Sequence, residues 1–344
     1  MRREALKVSK SGNKSLENAK RQKQDEFYTQ LSDIEKEVGH YWQHFNGKTV
    51  LCNCDDPRCS NFFHYFSHKF EDLGLKRLIA TCYKNQECDL FSQNDCERAI
   101  WLEYLGDKNG NRIPDPDEIG IRYFKGDGDF RSEECIELLK RSDIVVTNPP
   151  FSLFREYVAQ LVKFGKKFLI VGNMNEAHYK EIFSLIMTNK IWLGYGNGDM
   201  AFRVPDSYEA RETRFWIDES GKKWRSLGNA CWFTNLDIKK RHEEYVYIRK
   251  YKPEDYPRYE NLDAIDVGAT SDIPGDWYGL MGVPDTFLHQ YNPDQFEIVG
   301  LGSGDLAKQI GVKKNYRGRT DVAYRIDGKD KCPYSRIIIR RRRL

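Results

Sequence analysis

The chain has 344 residues, a formal net charge of +3, and is 40% hydrophobic and 13% aromatic, which is enough for a full catalytic domain plus a smaller one. A mean hydropathy of −0.72 with no long apolar run excludes a helical membrane span. Nine cysteines without a paired framework fit reduced thiols, and the basic N-terminus lacks the apolar core of a secretory signal, so a cytoplasmic location is expected.

Residues 1–24 carry eight Lys or Arg against Glu4 and Glu17 and read as a basic flexible tail able to touch phosphates. Phe27-Tyr28-Thr29-Gln30 precedes a predicted helix over 32–45. Residues 48–53 read as the first core strand, followed by Asp55, Asp56 and Pro57 and then a helix over 60–70. The turn after this strand lacks the glycines that let a backbone approach a nucleotide, leaving Asn53, Asp55 and Asp56 as its polar groups. Cys52, Cys54, Cys59, His64 and His68 contain no Cys-x-x-Cys pair, so no metal site is expected. Residues 76–83 read as the second strand, and 84–120 as a polar excursion. Within it, Asp107 to Glu118 imitate a calcium loop, but Arg112 stands where that loop needs glycine, so a surface hairpin or loop is expected. Residues 121–125 read as a third strand, ending in Gly126-Asp127-Gly128-Asp129-Phe130; Asp129 or Ser132 would cap a helix to Lys140.

Asp143 to Phe154 organises the rest. The β-branched run 143–147 predicts a buried parallel strand. Asn148-Pro149-Pro150-Phe151 stops it with two prolines that cannot donate to a ladder and that hold their neighbours extended. The tetrapeptide offers an amide oxygen, a backbone carbonyl held still by proline and a flat aromatic face, a set able to grip an exocyclic amino group while stacking its ring. Ser152 would cap the following helix, whose apolar face includes Phe154, Tyr157, Val158 and Leu161. Then come a strand (167–171), a helix (176–187), a strand (190–193), a hairpin (212–217 with 222–227) and a strand (231–235). The alternation predicts an α/β fold, a Rossmann-like, largely parallel sheet with helices on both faces. The texture changes near Lys239, so 25–239 reads as the catalytic domain and 240–344 as a smaller C-terminal α+β region. Gly302, Gly304 and Ala307 match a dinucleotide fingerprint, but too little chain follows to build that domain. The run Arg340 to Arg343 is expected on phosphates.

Asn148-Pro149-Pro150-Phe151 resembles the (Asp/Asn)-Pro-Pro-(Tyr/Phe) motif of amino-group DNA methyltransferases. Asp25 to Gln30 is similar to their N-terminal motif, usually DEFYTP, with Gln30 in place of proline, and Gly128-Asp129-Phe130 to their third motif. The blocks CNCDDPR, GDGDFRS, TNPPFSLFREY and NPDQFEIVG resemble the EcoRI-type adenine methyltransferases in particular. The resemblance implies a class I methyltransferase fold, S-adenosylmethionine as cofactor, and double-stranded DNA as partner, with the target adenine flipped out. It implies Phe27, Tyr28 and Thr29 over the methionine end of the cofactor, and Asp129 and Phe130 on its adenine. Asn53, Asp55 and Asp56 could bond its ribose or amino group. Asn148, Pro149, Pro150 and Phe151 would carry the transfer, and 240–344 would recognise the DNA target. A cognate restriction endonuclease would be a partner in function only, with no membrane involved and a monomer favoured. Methylation of RNA or protein glutamine, and a catalytically silent DNA-binding protein, remain as alternatives.

Overall fold

The structure is a computed structural model that describes residues 27–54, 60–83, 99–111, 114–115 and 117–343. The basic tail, Asp55, Asp56 and Cys59 lie outside the described residues. In chain order the elements are α1 (Leu31–Val38), β1 (Thr49–Cys52), α2 (Asn61–His68), β2 (Arg77–Cys82), β3 (Ile100–Tyr104), β4 (Gly120–Tyr123), α3 (Glu133–Arg141), β5 (Ile144–Thr147), α4 (Phe154–Lys163), β6 (Lys167–Asn173), α5 (Lys180–Met187), β7 (Trp192–Arg203), β8 (Phe215–Ile217) and β9 (Lys223–Thr234).

These strands form a nine-stranded sheet ordered β4-β3-β2-β1-β5-β6-β9-β7, with β8 beside β9. Its centre, β2-β1-β5-β6, is parallel, and antiparallel strands close both sides. The centre strands are apolar on both faces because helices cover both. Leu51, Ile79, Val145 and Ile170 pack with α3, α4 and α5. Val50, Leu78, Val146 and Leu169 point the other way, against α1 and α2.

Several elements differ from expectation. The excursion after β2 contains β3, whose Ile100, Leu102 and Tyr104 are buried; β3 pairs antiparallel with β4, and the described residues 107–111, 114–115 and 117–118 lie between the two strands. The predicted strands 222–227 and 231–235 are one 12-residue strand, β9. Its partner β7 also runs 12 residues. The first helix ends at Val38. Ser152 lies inside a 3-10 turn, Phe151–Leu153, and the N-cap position of α4 falls on Leu153. Ser132 does cap α3, accepting from Cys135 N.

The remaining chain builds a four-stranded sheet ordered β10-β11-β15-β12. Its strands are β10 (Ala264–Asp266), β11 (Leu280–Pro284), β12 (Phe296–Leu301) and β15 (Arg336–Arg341); α6 (Gly304–Gln309) and the hairpin β13 (Tyr324–Ile326) with β14 (Lys329–Lys331) lie between the last two. β12 pairs only with antiparallel β15 in this sheet, so the Gly302-Gly304-Ala307 turn is not part of a parallel dinucleotide unit. Ile265, Val283, Ile298 and Ile339 belong to the same continuous core as α3, α4 and α5. His178, just after β6, reaches across to Ser335 (2.7 Å) and Asp285 (3.3 Å). Among the described residues no helix is long and apolar enough to cross a membrane.

Two buried groups set opposite pH slopes. Burial pushes the Glu176 carboxyl up from 4.5 to about 7, against the pull of Arg155. Burial, helped by Lys240, lowers His289 from 6.5 to about 4. The folded chain retains the Glu176 proton that the unfolded chain has lost, so this stabilisation is full below pH 4.5 and disappears as pH rises to about 7. For His289 the unfolded chain gains the proton first, so stability is lost as pH falls from 6.5 to about 4. Over the shared window the two oppose. Glu176→Gln should therefore gain stability over wild type as pH rises from 4.5 to about 7, by on the order of 3 kcal/mol. Denaturant titrations at a series of pH values measure it; parallel profiles for variant and wild type would show that Glu176 keeps no proton.

Candidate active site

The carboxyl ends of β1, β2, β5 and β6 converge on one edge of the sheet, where ligands of open α/β sheets bind. Asn148 follows β5 there and is 6% exposed. Its Nδ2 donates to Phe27 O at 2.5 Å. A carbonyl can only accept, so this contact fixes which end of the amide faces Phe27. Asn148 Oδ1 is consequently turned away, and it is buried with no hydrogen-bond partner among the described residues. Leaving such an acceptor unmade costs about 1–3 kcal/mol, a cost recovered only when a donor arrives. Pro149 is buried, and Pro150 O accepts from Leu153 N at 2.9 Å, so the turn is anchored on both sides of the prolines.

Phe151 stacks on Phe27 with ring centroids 5.3 Å apart and planes 22° apart. Phe27 also meets Phe202 and Tyr208, while Tyr28 pairs backbone to backbone with Arg203. The segment 27–29 thus bridges the Asn-Pro-Pro-Phe turn to the outer part of β7. Beyond Asn173↔Ala230, the last pair with β6, β9 continues pairing with β7 as far as Arg203↔Trp224, so this arm overhangs the edge. Thr29 is 2% exposed, its carbonyl held by Asn61 Nδ2 at 2.8 Å. Its Oγ1 is a second buried polar atom at this edge without a partner among the described residues.

Asn53 directly follows β1 beside these groups. Its Oδ1 accepts from the Tyr157 hydroxyl at 2.5 Å, and its carbonyl from Thr147 Oγ1. Burial pushes the Tyr157 phenol far up, so it stays a donor. The Asn53 amide is therefore oriented with Nδ2 away from Tyr157. Gly128 takes a φ of +75°, and a Cβ there would sit 2.6 Å from Cys82 O, so only glycine lets the Asp129 loop close onto the end of β2. Asp129 does not cap α3. Its carboxylate binds Arg131 Nη2 at 2.5 Å and Nε at 2.8 Å. The hydrogen bond to Asp129 raises the Arg131 guanidinium above its ordinary range, and Arg131 also reaches Glu156 of α4 at 3.3 Å. Phe130 meets Tyr157 edge-on at 5.1 Å.

A family profile described as "Adenine-specific methyltransferase EcoRI" matches residues 15–342. The chain belongs to the EcoRI adenine-specific methyltransferase family. It is 48% identical over 336 residues to Type II methyltransferase M.EcoRI of Escherichia coli, covering 96% of this chain and 98% of the relative. Type II methyltransferases of Mycoplasma genitalium (M.MgeORF184P) and Mycoplasma pneumoniae (M.MpnI) are each 36% identical, covering 95% and 94% of this chain and 98% and 97% of the relatives. No solved structure matches the chain. As a member of the EcoRI family it is an adenine-specific DNA methyltransferase, and RNA or glutamine methylation has no counterpart among these relatives.

The structure gathers Phe27, Thr29, Asn53, Asn148 and Phe151 at one edge, with Asp129 and Phe130 beside Tyr157. Three residues that support these groups or the elements carrying them were not singled out by sequence reasoning. Tyr157 was legible only as an apolar helix position. Arg131 lies two residues from Asp129, a spacing that suggested no pair. Glu37 lies on α1 and is 2% exposed; its carboxylate accepts from Tyr195 N (2.9 Å), Gly196 N (2.6 Å) and the Tyr41 hydroxyl (2.8 Å).

Proposed function

We propose that this site-specific methyltransferase transfers a methyl group from S-adenosylmethionine to N6 of an adenine flipped out of duplex DNA, with Asn148 and the Pro149 carbonyl as acceptors for its amino group. The observation that carries the reading is the buried, unpartnered Oδ1 of Asn148 with its amide locked by Phe27 O. An adenine amino group is a poor nucleophile because its lone pair is delocalised into the ring. Two fixed acceptors would draw its hydrogens out of the ring plane and aim the lone pair outward. Asn148 is no strong base and none is needed before transfer, since the proton can leave afterwards. Phe151, already backed by Phe27, would extend that stack to the extruded base.

The residues present fit the cofactor. The orphan Thr29 hydroxyl offers a hydrogen bond, Asn53 presents Nδ2, and Phe130 offers a ring face. When bound, S-adenosylmethionine supplies an already activated sulfonium methyl. Phe27, Tyr28 and Thr29 would hold its methionine end, Asn53, Asp55 and Asp56 its ribose or amino group, and Asp129 with Phe130 its adenine. Residues 25–239 would form this catalytic part and 240–344 the region that recognises the target, with a cytoplasmic setting and a restriction endonuclease of the same specificity as counterpart.

Methyl incorporation from labelled cofactor into duplex DNA, RNA and protein tests the reaction. Single-molecule sequencing of host DNA, read for modified adenine, supplies the site. Incorporation into RNA or protein alone would overturn it. Asp129→Ala should weaken cofactor binding by about 1.5–3 kcal/mol, the value of one charged hydrogen bond, with DNA affinity unchanged. Calorimetry decides, and an unaltered cofactor affinity would leave Asp129 the single task of holding Arg131.

A further inference from the structure

The arginine run at the C-terminus is built into the second sheet. Arg340 pairs with Glu297 at 2.7 Å. Arg341 lies over Tyr247 and Tyr278 and donates to Gly275 O. Arg342 Nε donates to Pro293 O at 2.7 Å. A denser cluster of exposed cations lies instead on the segment Lys313 to Arg319. Lys313, Lys314, Arg317 and Arg319 are exposed, and among the described residues they enter no ion pair. The segment contains no Asp or Glu.

A solvated charge run would be loose, and this one is pinned. Asn261, 7% exposed, donates from Nδ2 to Lys313 O (2.9 Å) and Asp321 O (2.8 Å) and accepts at Oδ1 from Ala323 N (2.9 Å). Its own carbonyl accepts from Lys313 N at 3.0 Å. One buried side chain thereby ties the start of the loop to its end. Inside the loop, Asn315 Oδ1 accepts from Arg317 N (2.9 Å) and Arg319 N (3.2 Å), while Asn315 N donates to Arg319 O (2.8 Å). This closure presents Tyr316 and Arg317 outward, the guanidinium 5.1 Å from the Tyr316 ring centroid.

The loop also lies toward the catalytic edge. Thr320, next to Arg319, donates to Gly304 O at 3.2 Å, at the start of α6. The strand β12 that leads into α6 packs against α5, whose first residue is Lys180. Since α5 follows β6, its beginning sits at the carboxyl edge, where Asn148 also lies. His178 and Ser335 join the two sheets on the same side.

We propose that Lys313–Arg319 is a DNA-reading loop, with Lys313, Lys314 and Arg319 on backbone phosphates and Arg317 on a guanine edge in the major groove. This rests on the reading that residues 240–344 contact the target. A guanidinium fork matches the two acceptors of guanine, and no other side chain offers five donors in that plane. Holding the loop by Asn261 and Asn315 before binding removes much of the ordering cost.

The test uses the full chain and three variants: Lys313→Ala with Lys314→Ala, Arg317→Ala, and Arg317→Lys. DNA affinity is measured against salt on cognate and scrambled duplexes, and modified adenines are mapped by single-molecule sequencing. The lysine pair should weaken both duplexes alike and reduce the salt slope by roughly 0.9 per cation. Arg317→Ala should lose cognate affinity on the order of 10- to 100-fold, lose less on scrambled DNA, and admit other bases at one G·C position. Arg317→Lys should keep the wild-type salt slope and leave the selectivity relaxed, because a point charge cannot reproduce the fork. Unchanged methylation contexts in Arg317→Ala, or full selectivity in Arg317→Lys, overturn the assignment. So does a loss of cofactor affinity in any variant, which would make the loop a structural support. A wild-type chain that methylates no DNA would defeat the parent reading; DNA methylation indifferent to all three variants would defeat the loop alone.

Discussion

Asn148→Ala should lower the rate of methyl transfer by at least about 10²–10³-fold, the usual loss when one preorganised polar group at a reacting atom is removed, without lowering stability to match. The second half of this expectation comes from the orphan acceptor. In the wild-type chain Oδ1 is buried and unpartnered among the described residues, so truncation relieves about 1–3 kcal/mol of unmade hydrogen bonding while leaving Phe27 O without its donor, a cost of similar size. An unfolding midpoint close to wild type, with transfer nearly abolished, is the signature of a residue kept for chemistry rather than for the fold. Asn148→Asp separates the two ends of the amide. It keeps an acceptor for the adenine amino group but replaces the Nδ2 donor with an oxygen against Phe27 O. Transfer should fall less than in alanine, and stability should fall more. Single-turnover assays at saturating cofactor, with thermal unfolding in parallel, read both. Wild-type turnover in the alanine variant would remove Asn148 from the reaction.

What could be read from the sequence follows the range of the forces involved. The turn after β5 was legible because its signals are local: a β-branched run, then two prolines. The apolar face of α4 was legible for the same reason, since periodicity is written within one turn or two. β3 was missed although Ile100, Leu102 and Tyr104 alternate with Trp101 and Glu103, because polar sequence on both sides outweighed five residues of pattern. β9 read as two strands because Gly228 and Asn229 interrupt it. A Cβ on Gly228 would meet only the guanidinium end of Arg214, a flexible side chain that can move aside, so the strand runs through this position without needing a glycine. Ser152 looked like a cap, but the turn after the prolines tightened into 3-10 geometry and moved the helix start past it. Glu37 gave no signal. On α1 it reads as an ordinary surface acid, and two of its partners lie 158 and 159 residues away.

Glu37→Ala should destabilise the protein by on the order of 3–5 kcal/mol, the range for stripping a buried ionic acceptor from its donors, and should impair methyl transfer even where the protein remains folded. The reason for the first effect is a gap in the sheet. The β7–β9 register jumps between Leu193 and Asn197, so Tyr195 N and Gly196 N fall outside the ladder, and the Glu37 carboxylate takes the place of a strand partner for both. The Tyr41 hydroxyl, which burial holds in its protonated form, donates to the same carboxylate. A Cβ on Gly194 would overlap Glu37 Oε1 and come within 2.9 Å of that hydroxyl, so Gly194→Ala should act in the same direction. The effect on transfer is mechanical. α1 starts at Leu31, directly after the segment whose Phe27 carbonyl orients Asn148. With Glu37 gone, α1 loses its tie to β7, and the amide of Asn148 loses its fixed neighbour. Glu37→Gln is the informative partner variant, because it keeps one acceptor and the side-chain volume. It should remain folded, lose roughly half the stability that alanine loses, and show a reduced turnover number at saturating cofactor and DNA. Urea unfolding together with single-turnover kinetics on the glutamine variant decides the matter. Full turnover in a destabilised but folded Glu37→Gln protein would confine Glu37 to holding the sheet, with no bearing on Asn148.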